Sequence, residues 1–506
     1  MTAHSRNLGK CMDPDIDPDK VAIIEPGDFT EPPRETTYAE LGALCDAVAR
    51  GLVRRGLTPG DRVGLMGENS LEYLAAYFGI MRAGMVAVSF SYKLNQEVTD
   101  HICRDADLKL LFHDAARTAK VPAGVPGVTL DAPAAHPEGF HAMLDPGPFD
   151  TVEPADDDVA MILYTSGSTG MPKGVLLSHG SQRWPLERGA KMGGDRRGHR
   201  YIVGAPMFHM NATISIKGAL WAGASLVLLP AFDAMAYARS IDAFGVTWLT
   251  SVPTMLALVA KESDRLGGLD FSSVTDVTMG SAPLTQALVD KVLALFPGAR
   301  ITNSYGTTEG GPSPFGPHPD GIARPMVALG YPHEGHLAEL REGPSPDEGV
   351  LYVKGPMVML GYNNLPEKTA AALQDGWYRT GDIMRKDADG FFYFLGRADD
   401  MFNVGGENVW PGEVEKLIEK LPGVHQACVV PAPHATKGMA PYAYVVRTPG
   451  ATLTEDEVKR FTLDNGPAHA HPRHVEFLDA IPLAGTNKPD RNLLTARARA
   501  ALDGAA

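Results

Sequence analysis

The chain is expected to fold as an α/β protein, with a large N-terminal domain of layered β-sheets and helices (residues 1–396) and a small α+β domain (397–506). Three observations predict this. Strand and helix signals alternate through the first third and again in the middle of the chain, as in layered, mostly parallel sheets. Near residue 350 the pattern changes to short strands and turns. The 506 residues exceed the ~250–300 at which single hydrophobic cores stop growing.

The elements follow in order. Thr37 and Glu40 form a T-x-x-E capping box, and Leu41, Leu44, Val48 and Leu52 continue at helical spacing until Gly56. RVGLM (62–66) reads as a buried strand. Ser70 caps a second helix with Leu71, Leu74, Phe78 and Met81 on one face, ended by Gly84, and MVAVSF is the next strand. Further on come the strand SLVLLP, a helix from Ala236 to Phe244, the strand VTWLTSV, a helix to Leu266, and the strand VTDVTMG. From GVLYVKG onward the strands are short. Beyond Arg397 the signals are a helix after Pro411, strands HQACVVP and YAYVVR, a helix EDEVKRFTL, and VEFLDAIP. The boundary GRADDMFNVGG carries charges and adjacent glycines, which suits a hinge and makes the C-terminal domain mobile.

Composition narrows the function classes. With 44% hydrophobic and 21% charged residues, the chain is ordinary for a globular protein. A formal charge of −15 argues against nucleic acid or an anionic membrane surface as partner. Cys11, Cys45, Cys103 and Cys428 lack metal-binding spacing and read as reduced cytoplasmic thiols. The N-terminus has no apolar signal-peptide core, and GALWAGASLVLLP is too short to span a bilayer.

YTSGSTGMPKGV (164–175) is the strongest local signal. It is not the nucleoside-triphosphatase loop that opens a helix, because Pro172 precedes Lys173, Gly174 follows it, and VLL suits a strand. It still suits phosphate: glycines turn backbone N–H groups inward while Ser, Thr and Lys173 supply donors. A serine-hydrolase reading fails, since no glycine stands two residues before Ser166 or Ser168.

Four further motifs lie downstream: NSYGTTEGG (303–311), GWYRTGD (376–382), FLGRADD (394–400) and IPLAGTNKPDR (481–491). In this order, with the loop, they resemble the AMP-forming acyl-CoA synthetases of the adenylate-forming superfamily, from TYAEL to KPDR. The resemblance implies activation of a carboxylic acid by ATP, release of pyrophosphate, and transfer of the acyl group to coenzyme A, with Mg²⁺. A carboxylate is a poor electrophile with no leaving group, and adenylation supplies one. Charge then builds on α-phosphoryl oxygens and must meet preorganised donors.

The resemblance assigns roles. Thr165, Ser166, Gly167, Ser168, Thr169, Gly170 and Lys173 hold the β,γ-phosphates. Tyr305 stacks on adenine beside Ser281, Ala282 and Pro283. Thr308 bonds the α-phosphate, and Glu309 holds Mg²⁺. Asp382 takes the ribose hydroxyls, and Arg397 contacts ribose or phosphate. Lys488 bridges the carboxylate and the α-phosphate as the main adenylation catalyst. Asp399 is the hinge, and Gly405 and Gly406 line the pantetheine tunnel. His209 gates the acyl pocket. Two departures stand out: Lys488 follows Asn487 where many members have glycine, and Asn403 stands where plant hydroxycinnamate ligases carry lysine.

By the same analogy the acid pocket is lined by Met210, Asn211, Ser215, Gly280, Gly306, Thr307, Gly310 and Gly311, where glycines leave room and Asn211 and Ser215 offer hydrogen bonds to a ring hydroxyl. The expected substrate is an aromatic acid of the benzoate or hydroxycinnamate type. A medium-chain or alicyclic acid is the alternative, and acyl-carrier loading or luciferase-like oxidation stay open. No nucleic-acid partner is expected, and a homodimer stays open.

Overall fold

The computed structural model describes residues 4–165, 171–192, 194–282, 284–404, 407–434, 438–483 and 489–503. The chain forms two compact units: Met1–Ala338 with Val353–Arg379, and Glu339–Tyr352 with Thr380–Ala506.

Two seven-stranded sheets build the first unit. One runs in the order Arg300–Ser304, Asp276–Gly280, Trp248–Ser251, Arg200–Val203, Ser225–Leu228, Val21–Glu25, Arg34–Thr37, parallel except at the last strand. The other runs Gly361–Tyr362, Lys173–Ser178, Val159–Thr165, Val86–Ser89, Arg62–Met66, Leu108–His113, Gly127–Thr129. Its last five strands are parallel, and the first two add antiparallel.

The capping signals act as the sequence predicts. Thr37 and Glu40 cap the helix Tyr38–Arg54 reciprocally, and the Ser70 hydroxyl accepts from Tyr73 N–H to start the helix Leu71–Arg82. This second helix differs from expectation. A single buried face was predicted, yet every residue but Glu72 is buried. Its environment must therefore be apolar on all sides, which a one-sided periodicity does not reveal. Arg82 is the polar exception inside it, donating to Gly9 O (2.7 Å), Gly42 O (2.7 Å) and Asp46 Oδ1 (2.6 Å). The helix expected to reach Leu266 stops at Lys261 and gives way to a 3₁₀ turn at Ser263–Arg265.

Asn69 joins the two sheets. Its buried amide donates to Ala205 O (2.9 Å) and Leu229 O (3.0 Å), and its Oδ1 accepts from Met207 N (2.8 Å). A side chain from the end of one sheet thus satisfies backbone groups beyond the strand ends of the other, which would otherwise be buried at a cost.

The second unit holds its own sheet: Glu407–Val409, Phe402–Val404, Gly438–Arg447 and Val424–His434 in order, with His474–Leu478 parallel to Gly438–Arg447. Helix Pro411–Ile418 adds Val414 and Ile418 to a core with Val404, Val429, Val445 and Val458. Arg491, at the start of the last helix, pairs with Glu415 (2.7 Å) and Asp400 (3.6 Å).

Three buried histidines of the first unit, His179, His333 and His336, are held down to about 4, mainly by burial. Their folded values lie below the unfolded one, so folding favours the neutral ring. Stability is full above about pH 6.5 and is lost as pH falls toward 4, because the unfolded chain takes up protons that the folded one refuses. The unfolding free energy from denaturant titration should drop between pH 7 and pH 5, by on the order of 1–2 kcal/mol per histidine. In His336→Leu the drop should be smaller, and an equal drop would remove His336 as a contributor.

Candidate active site

Several of the expected site residues sit just past the carboxyl ends of parallel strands. Thr165 ends Val159–Thr165, Ser281 follows Asp276–Gly280, Tyr305 follows Arg300–Ser304, and His209 lies beyond Arg200–Val203. Ligands of open α/β sheets bind at such edges, where loops fan out over a rigid support.

The loop YTSGSTGMPKGV is a connection between antiparallel strands: Lys173 opens the strand Lys173–Ser178, and Thr165 pairs directly with Lys173. Both flanks of the loop are therefore fixed side by side. Glu309 lies against this hairpin. Its Oε1 accepts from Thr165 Oγ1 (3.4 Å) and from Tyr362 OH (3.3 Å), and Lys173 Nζ stands 4.2 Å from the centre of the Tyr362 ring. The backbone of Glu309 is held too, since its carbonyl accepts from Met359 N (2.8 Å). Thr307 and Gly311 exchange two backbone hydrogen bonds across the turn, and Gly310 N donates to Thr307 Oγ1 (2.8 Å).

Below the hairpin lies a network that sequence reasoning missed. Tyr164 OH donates to Asp105 Oδ2 (2.6 Å), Asn363 Nδ2 to Asp105 Oδ2 (3.0 Å), and Asn364 Nδ2 to Asp105 Oδ1 (3.2 Å). Burial and the adjacent Asp105 carboxylate push the Tyr164 phenol up. Asp105 and Asn363 are 258 positions apart, so no local pattern joins them. Tyr362, in GYNN, gave no sequence signal of its own.

His209 is the N-cap of the helix Met210–Trp221, with its ring 4.5 Å from that of Phe208. Asn211 Nδ2 donates to Ser281 Oγ (3.3 Å), while Ser215 Oγ donates to Asn211 O (2.7 Å) within the helix. Ser281 has φ +67°, a left-handed conformation that side chains rarely adopt, and such strain gathers at functional turns. The glycines expected to line the pocket are closely packed. A Cβ at Gly306 would lie 2.5 Å from Pro312 O, at Gly280 2.9 Å from Ser304 O, and at Gly310 2.9 Å from Thr307 Oγ1. At Gly311 it would strike Met357, and φ is +101°. Glycine at these positions is required by close packing of the chain on itself. Tyr305 packs at 5.9 Å on Phe315, and Thr308 is half-buried in the same turn.

A separate constellation lies in the second unit. Asp382 and Arg397 are register partners on neighbouring strands, and Arg397 Nη1 donates to Asp382 Oδ1 (2.8 Å) and Thr380 O (3.0 Å). The Asp382 side chain is buried, while that of Arg397 is 40% exposed. Asp399 is in the 3₁₀ turn Ala398–Asp400 that follows. The predicted residues Ser166, Gly167, Ser168, Thr169, Gly170, Pro283, Gly405, Gly406 and Lys488 lie outside the described residues. Ala282 is half-buried beside Ser281.

For a cation the donor set is sparse. Among the described residues no group of three or more metal-ligating side chains occurs. Among the described residues, the donors to Glu309 reach one of its two oxygens. One carboxylate with water and phosphate oxygens suits Mg²⁺, which seldom takes an all-protein cage.

Comparison with known proteins agrees. The family model for AMP-binding enzymes matches residues 14–363, and that for their C-terminal domain matches 413–488. A feruloyl-CoA synthase from Amycolatopsis is 33% identical over 469 residues, covering 89% of this chain and 92% of that protein. A fatty acid–[acyl-carrier-protein] ligase, ScoC of Streptomyces coeruleorubidus, is 34% identical over 474 residues, 89% of each. The crystal structure of the anthranilate CoA ligase AuaEII with anthranoyl-AMP superposes with TM-score 0.88 at 25% identity, over 99% of this chain and 98% of that one. The chain belongs to the AMP-forming acyl-CoA ligases, enzymes that join a carboxylic acid to AMP with release of pyrophosphate and pass the acyl group to coenzyme A.

Proposed function

We propose that the acid is aromatic, of the benzoate or hydroxycinnamate type, and that the roles assigned from sequence are those used in catalysis. The observation that carries the substrate reading is the helix start at Met210 and Asn211. There the Asn211 amide is tied to the strained Ser281 turn, and among the described residues its oxygen takes no donor, which suits it to accept from a ring hydroxyl. The names of the feruloyl- and anthranilate-activating relatives support the same class. The name of the ScoC relative favours a second reading, a fatty acid delivered to a carrier protein.

In this reading Thr165 and Lys173 receive the β,γ-phosphates, and Lys173 exchanges its contact with the Tyr362 ring for phosphate oxygens. Such a contact is worth only ~0.5–1 kcal/mol at an exposed site, so it is easily given up. Mg²⁺, held by Glu309, would supply positive charge to the phosphates. Asp382 accepts from the ribose hydroxyls with Arg397 holding its carboxylate in place. Lys488 spans the acid carboxylate and the α-phosphate, where charge develops. The thiol step requires Lys488 to leave, which turning residues 397–506 about Asp399 against 1–396 accomplishes. No helix among the described residues is long and apolar enough to cross a membrane, and four free, buried cysteines support a reducing, cytoplasmic setting.

A pyrophosphate-release screen across benzoates, cinnamates and C4–C12 fatty acids, with coenzyme A or a carrier protein as acceptor, tests the substrate. Cinnamates or benzoates should lead with coenzyme A, and turnover confined to alkyl acids would overturn the aromatic reading. Lys488→Ala should slow adenylate formation at least ~10²-fold, the scale of losing one key donor. Thioester formation from supplied acyl-adenylate should survive better, and an equal loss in both steps would show the role to be misassigned. Asp399→Pro fixes φ at the hinge and should uncouple the two half-reactions. Normal overall turnover in that variant would exclude rotation at this residue.

A further inference from the structure

Lys217 takes no part in this chemistry, yet its side chain has no exposed surface. It lies in the helix Met210–Trp221. Its Nζ donates to Gln182 Oε1 (2.9 Å) and stands 3.8 Å from Met161 Sδ, and among the described residues it forms no ion pair. Gln182 is itself fully buried, and among the described residues its Nε2 has no partner. An ammonium in such surroundings is costly, and a retained one calls for a reason.

Three elements meet at this amine. The helix Met210–Trp221 begins at His209 and carries Met210, Asn211 and Ser215. The helix His179–Met192 supplies Gln182. The strand Val159–Thr165 supplies Met161 and ends at Thr165, beside Glu309. That strand is hydrogen-bonded to neighbours on both sides, so it is the fixed member and the helix the movable one. Thr213, one turn before Lys217, is also fully buried, while Asn211 and Ser215 are half-buried on the opposite helix face.

We infer that Lys217 is a positioning residue for the acid site. Its amine, seated on Gln182 and Met161, sets where the helix bearing Met210, Asn211 and Ser215 stands against the phosphate-loop strand, and gain or loss of its proton shifts that helix. This rests on reading those three residues as the acid pocket.

The titratable groups around the amine are few. The N-terminal segment presents Cys11, with Cys45 and Arg82 behind it. The helix Leu71–Arg82 presents Tyr77, and the helix His179–Met192 presents His179, with Asp158 and Arg183 beyond. Burial pushes the Cys11 thiol up to about 12 and the Tyr77 phenol well up, and holds His179 down to about 4. Burial also draws Lys217 down to about 7. Lys217 is thus the member of the cluster brought into the neutral range. Below it the ammonium has one strong acceptor. Above it a neutral amine can also accept from the unpartnered Gln182 amide, once that amide turns.

The test is steady-state pyrophosphate release between pH 5.5 and 9, with the best acid from the screen. It compares wild type, Lys217→Met, Gln182→Glu and Asn211→Ala. In the wild type the KM for the acid should change roughly 3- to 10-fold through about pH 7, the range of couplings carried by packed networks, while the KM for ATP stays flat. Lys217→Met should abolish the step. Gln182→Glu should move it to higher pH, because a carboxylate beside the amine favours its charged form. No step in the wild type, or a step unmoved in both variants, overturns the inference. If Lys217→Met fails to fold, Gln182→Glu decides alone. An unchanged acid KM in Asn211→Ala would instead defeat the pocket reading. A changed one, with both other variants tracking wild type, defeats the role of Lys217 only.

Discussion

The carboxylate of Asp105 is the constraint on which the hairpin of the candidate site rests. Tyr164, Asn363 and Asn364 all donate to it, so one charged group gathers the strand entering the loop and the turn after Gly361–Tyr362. Hydrogen bonds to an ionised acceptor are about twice as strong as neutral ones, and a network whose members are all satisfied rigidifies what it joins. Thr165, next to Tyr164, and Tyr362, next to Asn363, then both reach the same oxygen of Glu309. The two flanks of the loop and their acidic neighbour are thereby held in register.

The first unit extends the same logic. Buried polar side chains sit where two elements must be held together: Asn69 across the sheet ends, Arg82 inside a fully buried helix, Lys217 between helix and strand. Each satisfies several backbone or side-chain groups, or brings one charge into an apolar layer, and removing such a partner would leave others unpaired. Apolar packing alone would tolerate small slips of a helix along a sheet. These contacts do not.

A chain of net charge −15 must still receive anionic substrates. Two cations of the candidate site are held differently: Lys173 rests on an aromatic face, and the Arg397 head remains partly exposed while it clamps the buried Asp382. Lys173 is thereby kept in place without an acidic partner, whereas Arg397 is paired with a buried carboxylate and keeps only part of its head exposed.

The sequence by itself determined the layered α/β class, the caps at Thr37 and Ser70, the strand after Lys173, and the family through five motifs in order. These are local: a cap needs neighbours within four residues, and a motif is read along one stretch. Only the tertiary structure decided that the helix after Ser70 is buried on every side, that the glycines at 306, 310 and 311 serve close packing, and that Tyr362 and Asp105 support the site. The physical reason is distance along the chain. Asp105 meets Asn363 across 258 positions, and a lysine at 217 looks like any helix-surface lysine until Gln182 and Met161 close over it. Periodicity reports which face of an element is apolar. It carries no record of what the opposite face will meet.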